Sequence, residues 1–284
     1  MPTQLRPGCW LIELTGVNAY LVEDVVGETP NGETTAAREE PISVDLSEDG
    51  ATEAADEDDS GDDGESSVEA GTDEEVTDDT EGDVRTVLTL VDAGMPFDAD
   101  AVREAIEETG HTLADVERVL VTHYDVDHVG GLSRLDLPNA TVYMGSPDAE
   151  YLTGRRSPPL DGHKTALQRL SKPFVSTDLD VEVVGDGDRV GSFTVYETPG
   201  HTEGHVAYVS SDLSVAFVGD LVRESDGELT PSPWVISHDT DAVAESIHDL
   251  ADREPAVEVL GMGHGVPFLR GGAVRLAQLG QKVD

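Results

Sequence analysis

The chain has 284 residues, with 60 Asp and Glu against 17 Lys and Arg and a formal net charge of −43. That balance leaves no basic surface to follow a phosphate backbone, so general nucleic-acid binding is disfavoured, and an anionic membrane surface would repel it. No run approaches 18 consecutive apolar residues, so no transmembrane span is expected. The opening MPTQLRPGCWLIELTG has a short apolar run and no cleavage-site pattern, so no signal peptide is expected. The single cysteine, Cys9, rules out an intrachain disulfide and suits a reducing cytoplasm.

The acids are unevenly spread. Residues 28–83 hold 23 Asp and Glu, one basic residue (Arg38) and no aromatic residue, a net charge of −22. With its Gly, Ser and Thr content, this stretch predicts a disordered insertion within a single domain spanning residues 1–284. The remaining 228 residues still carry −21. A steering field for a partner is one explanation, and adaptation to a salty cytoplasm, where screening weakens repulsion between surface acids, is the other. Only three lysines (Lys164, Lys172, Lys282) stand against 14 arginines, and acids occur on nearly every polar segment. A bias so diffuse fits the solvent better than a partner, and the composition is read as halophilic.

In chain order, residues 9–14 and 19–22 read as two short strands around Gly16-Val-Asn18, and residues 85–92 as a strand ending before Ala93-Gly94. The acidic stretch therefore falls between two strands able to pair as neighbours, where a long loop is tolerated because closure cost grows slowly with length. Residues 98–109 (DADAVREAIEET) predict a helix with an Asp cap and Gly110 as its stop. Residues 116–123 predict a buried strand, 140–144 another, and 164–170 a helix. Residues 181–184, 191–198, 206–209 and 213–219 read as a meander of strands. A helix over 241–250, a strand over 256–261 and a helix over 273–279 complete the chain. Helices flanking two groups of strands argue for one α/β domain.

Four segments at strand ends offer metal-ligating side chains. Thr122-His-Tyr-Asp-Val-Asp-His-Val-Gly-Gly131 packs His123, Asp125, Asp127 and His128 into six positions. Residues 123 and 125 alternate along an extended segment, and 127 and 128 fall where a helix would start, so one turn can aim them at two neighbouring points. Thr198-Pro-Gly-His-Thr-Glu-Gly-His205 supplies His201, Phe217-Val-Gly-Asp220 ends a strand in an acid, and Leu260-Gly-Met-Gly-His-Gly265 holds His264 between glycines. Imidazole and carboxylate suit zinc, iron or manganese.

At these residues the chain resembles the metallo-β-lactamase superfamily, glyoxalase II and lactonase-like members in particular, whose first motif His-x-His-x-Asp-His is followed by a lone His, an Asp and a final His. The resemblance implies a four-layer αββα sandwich with two divalent metal ions at one edge. Zinc is expected, with iron or manganese as alternatives. One ion would take His123, Asp125 and His201, the other Asp127, His128 and His264, with Asp220 bridging and a hydroxide between the ions. Asp127 is the expected catalytic residue, orienting the nucleophile and taking its proton. Asp125 departs from the commonest pattern, which has His there. A carboxylate oxygen is harder than an imidazole nitrogen, so this site is expected to favour iron or manganese more than a His/His/His site would.

The implied reaction is hydrolysis of a small ester, thioester or lactone. The segment 145–174 is expected to form the pocket wall, with Tyr151, Arg155, Arg156 and His163, beside Lys164 and Lys172, drawing in an anionic small molecule. Asp92 is expected to orient ligands, His205 to support them from behind, and His111, His238 and His248 to have no part in the site. Two rivals remain: an iron-dependent redox enzyme on the same fold, of the persulfide dioxygenase kind, and a non-catalytic interaction protein acting through residues 28–83.

Overall fold

The computed structural model describes residues 1–28, 34–35, 85–158, 168, 175, 177–253 and 257–283. The first sheet contains β1 (Thr3–Arg6), β2 (Cys9–Glu13), β3 (Asn18–Glu28), β4 (Thr34–Thr35), β5 (Arg85–Val91), β6 (Val116–Val121), β7 (Thr141–Gly145) and β8 (Asp180–Val184). Its order is β1-β2-β3-β5-β6-β7-β8, with β4 against the far end of β3. Pairing is antiparallel up to β5 and parallel from β5 to β8. The second sheet is built from β9 (Arg189–Val190), β10 (Phe193–Glu197), β11 (Val206–Ser210) and β12 (Val215–Phe217). A separate hairpin follows, β13 (Val222–Ser225) with β14 (Glu228–Pro231). Then β15 (Val259–Gly261) joins β12 in parallel and completes the order β15-β12-β11-β10-β9. Among the described residues the α-helices that can be followed from end to end are α1 (Ala99–Glu108), α2 (Val126–Val129), α3 (Asp148–Leu152), α4 (Thr240–Arg253) and α5 (Gly272–Gly280).

Side-chain alternation sorts the apolar residues into three buried layers. On β3, Leu21 faces one way and packs with Val102 and Ile106 of α1 and Leu152 of α3. Its neighbours Tyr20 and Val22 face the other way, against Phe193, Val195, Tyr208 and Phe217 of the second sheet. On β11 the same alternation turns Ala207 and Val209 toward Val243, Ile247 and Leu250 of α4 and Leu276 and Leu279 of α5. The layers are helix, sheet, sheet and helix, the αββα sandwich expected. A face-to-face pair of sheets with one helical layer each is what two one-sided amphipathic sheets require.

Residues 85–91 pair with β3 as expected, from Tyr20 opposite Val91 to Val26 opposite Arg85. Glu28, the first residue of the expected insertion, ends β3 and pairs with Thr34 of β4. The rest of residues 28–83 lies outside the described residues, as does the helix expected over 164–170 apart from Gln168. Residues 181–184 are not part of the meander; as β8 they extend the first sheet beside β7, a pairing that local alternation does not encode. Asp98 does not cap α1 with its side chain. Its carboxylate accepts instead from Met95 N–H (3.0 Å) and the Thr15 hydroxyl (2.7 Å), closing its own turn and fastening the β2–β3 connection. Among the described residues no helix is long and apolar enough to cross a membrane.

Candidate metal centre

The parallel strands β5, β6, β12 and β15 deliver their C-terminal ends to one edge of the sandwich. Past β6 the chain stays extended through Asp125 (φ −121°, ψ 149°), then enters α2. His123 and Asp125 therefore share a side, while Asp127 and His128 sit in the helical turn that follows. The β10–β11 loop carries His201, the chain beyond β12 carries Asp220, and that beyond β15 carries His264. Val206 N–H donates to Thr122 C=O (2.9 Å) and Gly263 N–H to Gly219 C=O (2.9 Å), so backbone bonds tie the first segment to the second and the third to the fourth.

The structure brings all seven predicted residues together. One ligand atom from each of His123, Asp125 and His201 lies within 4.8 Å of the others, and the same holds for Asp127, His128 and His264, and for His123, His128 and Asp220. Asp220 stands between the trios: its carboxylate is 3.4 Å from His128 Nε2, 3.1 Å from His264 Nε2 and 3.6 Å from His201 Nε2. The approach needs Gly263, where a Cβ would run into Asp220 Oδ1 and the His128 ring.

Each imidazole is held by its outer nitrogen. His128 Nδ1 meets Asp92 Oδ2 at 2.8 Å and His264 Nδ1 meets Gly16 C=O at 2.6 Å. Carboxylate and carbonyl only accept, so in both rings Nδ1 carries the proton. The Thr122 hydroxyl donates to Asp92 (2.8 Å), which leaves its oxygen to accept from His123 Nδ1 at 3.0 Å. Ser232 Oγ lies within hydrogen-bond distance of His201 Nδ1, at 2.9 Å. All four Nε2 atoms thus turn their remaining capacity inward, which is how second-layer partners prepare metal-binding histidines.

Three of the inward atoms, His123 Nε2, His128 Nε2 and Asp220 Oδ1, are buried with no hydrogen-bond partner among the described residues. The imidazole–carboxylate separations here, His123 Nε2 to Asp125 and His128 Nε2 to Asp220, are 3.4 Å each and lack hydrogen-bond geometry. A buried polar atom left unpaired costs about 1–3 kcal/mol, so three converging on one point call for a cation, and the donor set fits one. Burial, reinforced by His128 and His201, holds His123 well below the ordinary imidazole range, in the neutral form a metal needs. Burial acts the same way on His128 and His264, but the carboxylates of Asp92 and Asp220 outweigh it at His128, and Asp220 at His264, so both are raised. Asp220 is held well below the carboxylate range despite its burial, chiefly by His128.

Asp92 lies where expected, on His128. His205 joins none of the trios: its Nδ1 meets Thr198 Oγ1 (2.8 Å), and its Nε2 accepts from Asp220 N–H (3.2 Å), fixing the backbone of the shared acid. Tyr151 is buried and donates to Glu203 (3.1 Å). Arg155 and Arg156 are exposed, with Arg156 3.8 Å from Glu150; His163, Lys164 and Lys172 lie outside the described residues. His111 pairs with Glu23 and His248 with Val283 C=O, both away from the centre. Sequence reasoning missed Thr122 and Ser232. Thr122 adjoins the first motif. Ser232 follows the unforeseen β13–β14 hairpin, whose signal was Asp226-Gly227, both at positive φ (55° and 83°) as a two-residue hairpin turn requires.

The model of the metallo-beta-lactamase superfamily matches residues 84–264. The chain belongs to the metallo-beta-lactamase superfamily. It is 31% identical over 207 residues to "Probable metallo-hydrolase YflN" of Bacillus subtilis, covering 64% of this chain and 76% of that protein. It is 33% identical over 140 residues to a hydroxyacylglutathione hydrolase of Shewanella baltica, covering 48% of this chain and 43% of that one. A metallo-beta-lactamase family protein of Thermus thermophilus superposes with a TM-score of 0.58 at 19% identity, covering 98% of this chain and 80% of that one, which is a likeness of fold. This superfamily member is an enzyme of the hydrolase type, with His and Asp groups able to hold divalent ions. Membership favours catalysis over the reading as an interaction protein.

Proposed function

We propose that the chain hydrolyses a small ester, thioester or lactone with two divalent cations, zinc first, held by His123, Asp125 and His201 and by Asp127, His128 and His264, with Asp220 shared. The observation that carries this reading is the inward convergence of four imidazole Nε2 atoms and three carboxylates, three of those atoms buried and unpaired. When bound, the cations supply Lewis acidity, which makes water a nucleophile at neutral pH and polarises an acyl carbonyl.

The chain's own residues divide the remaining work. His123, His128, His201 and Asp220 close the inner side, all buried. Asp125, Asp127 and His264 form the open side, with side chains 15%, 29% and 24% exposed, so substrate enters across them. Asp127 is the acid placed to orient water, take its proton at a carboxylate oxygen and return it to the leaving group. A thioester or lactone ranks first: an acylglutathione, the substrate named for the Shewanella relative, is a thioester. Exposed Arg155 and Arg156 beside α3 support an anionic substrate. The −43 charge supports a salt-rich cytoplasm as the working medium.

The test is a panel of thioesters, lactones and aryl esters assayed in molar salt with zinc, manganese and iron in turn. Turnover of at least one class is expected. A second reading, iron-dependent oxidation, draws on Asp125, whose oxygen is the hard donor in the first trio. Oxygen consumption by the iron-loaded protein, with no hydrolysis under any metal, would decide for it.

A further inference from the structure

The first trio joins two loops from different sheets, since His123 and Asp125 follow β6 and His201 lies between β10 and β11. One buried carboxylate outside the centre grips both. Asp148, at the start of α3, is fully buried. Its Oδ2 accepts from Tyr124 N–H (2.7 Å) and from the Thr202 hydroxyl (2.7 Å), and its Oδ1 accepts from Gly204 N–H (3.1 Å). Tyr124 is the residue between His123 and Asp125, and Thr202 follows His201 directly. A Cβ at Gly204 would come within 2.8 Å of Asp148 Cβ and Oδ1, so the two loops pack against this acid with no slack. Across the same peptide, Gln168 Nε2 donates to Tyr124 C=O (2.7 Å) and to Asp125 Oδ1 (3.1 Å). That leaves Asp125 Oδ2 facing His201 Nε2 at 3.1 Å. The second trio hangs on other supports, Asp92 for His128 and Gly16 for His264.

We propose that Asp148 is a positioning residue that sets the spacing between the His123–Asp125 turn and His201, and thereby the affinity of the first trio for its cation, without acting on the second trio. The inference rests on reading the trios as a pair of cation sites. All three partners are donors, so the ionised carboxylate is the form that satisfies them. An amide cannot replace it, because its NH2 would face one of those donors.

The experiment measures zinc affinity of the metal-free full chain against a competing chelator, in two backgrounds. His264→Ala breaks the second trio and keeps the first, and His201→Ala breaks the first and keeps the second, while the His123, His128 and Asp220 grouping is common to both backgrounds. Asp148→Asn in the His264→Ala background should weaken zinc binding roughly tenfold to a hundredfold, the usual range for a residue supporting metal ligands. In the His201→Ala background it should change affinity less than about threefold, a selectivity that general loosening of the fold would not produce. Thr202→Val removes one donor and should show the same selectivity at smaller size; it carries the test if the Asn variant does not fold. Equal weakening in both backgrounds, or none in either, overturns the inference alone. Failure of the unsubstituted chain to bind zinc overturns it together with the proposed function.

Discussion

The inner wall and the open edge of the centre are built differently. His123, His128 and His201 are buried, and each has its outer nitrogen on a side chain, Thr122, Asp92 or Ser232. At the edge, His264 hangs on a backbone carbonyl, and Asp125 and Asp127 reach partly into solvent. Burial with pinned outer nitrogens suits holding a cation, because an imidazole so held has one inward nitrogen and one direction to offer it. Partial exposure lets a carboxylate meet substrate and exchange protons, at the cost of a looser position. On the proposed reading the wall does most to hold the cations, and the edge does most to meet substrate.

The sharpest break in that comparison is His128→Ala or Asp220→Ala in the wall. Either should lower kcat/KM by about a thousandfold or more and reduce the metal bound per chain, read by kinetics and metal analysis on the same samples. Asp127→Asn at the edge should cost roughly a hundredfold in kcat, within the range for general acid–base groups, while metal content holds. If it lost metal as His128→Ala does, wall and edge would not differ in kind. A smaller effect is expected from Asp125→His, which replaces an oxygen donor by nitrogen. The ratio of zinc to manganese affinity should rise about tenfold with the fold unchanged, and no shift would mean that residue 125 does not face a cation. Smallest of all, linking Val26 to Arg85 through a short Asn-Gly turn removes the acidic stretch. These residues already pair across β3 and β5, so hydrolysis should stay within about threefold.

The seven residues of the candidate centre were legible because each lies in a short motif at the end of an apolar strand, where sequence spacing is nearly spatial spacing. His123 to His128 occupy one turn, and His201, Asp220 and His264 are each framed by glycines or a strand end. Their supports were less so. Asp92 and His205 showed as residues near motifs, but Ser232 reaches His201 only because the β13–β14 hairpin folds back onto the centre. Asp148 and Gln168 meet Tyr124 across 24 and 44 positions of chain, contacts with no local signature. Sheet membership failed for the same reason. The strand at 181–184 alternates like its successors, yet its partner is β7 of the other sheet, and partner choice is a property of the whole packing. The Asp98 error was local: an Asp ahead of a helix is a natural cap, but Thr15 and Met95 offered its carboxylate other donors.

The central claim is tested most directly by the metal content and activity of the full chain in molar salt, before and after chelation. Two divalent ions per chain are predicted, with hydrolysis lost when a chelator removes them and regained when they are restored. Hydrolysis that survives complete removal of metal, or a chain that binds no divalent ion, would contradict it.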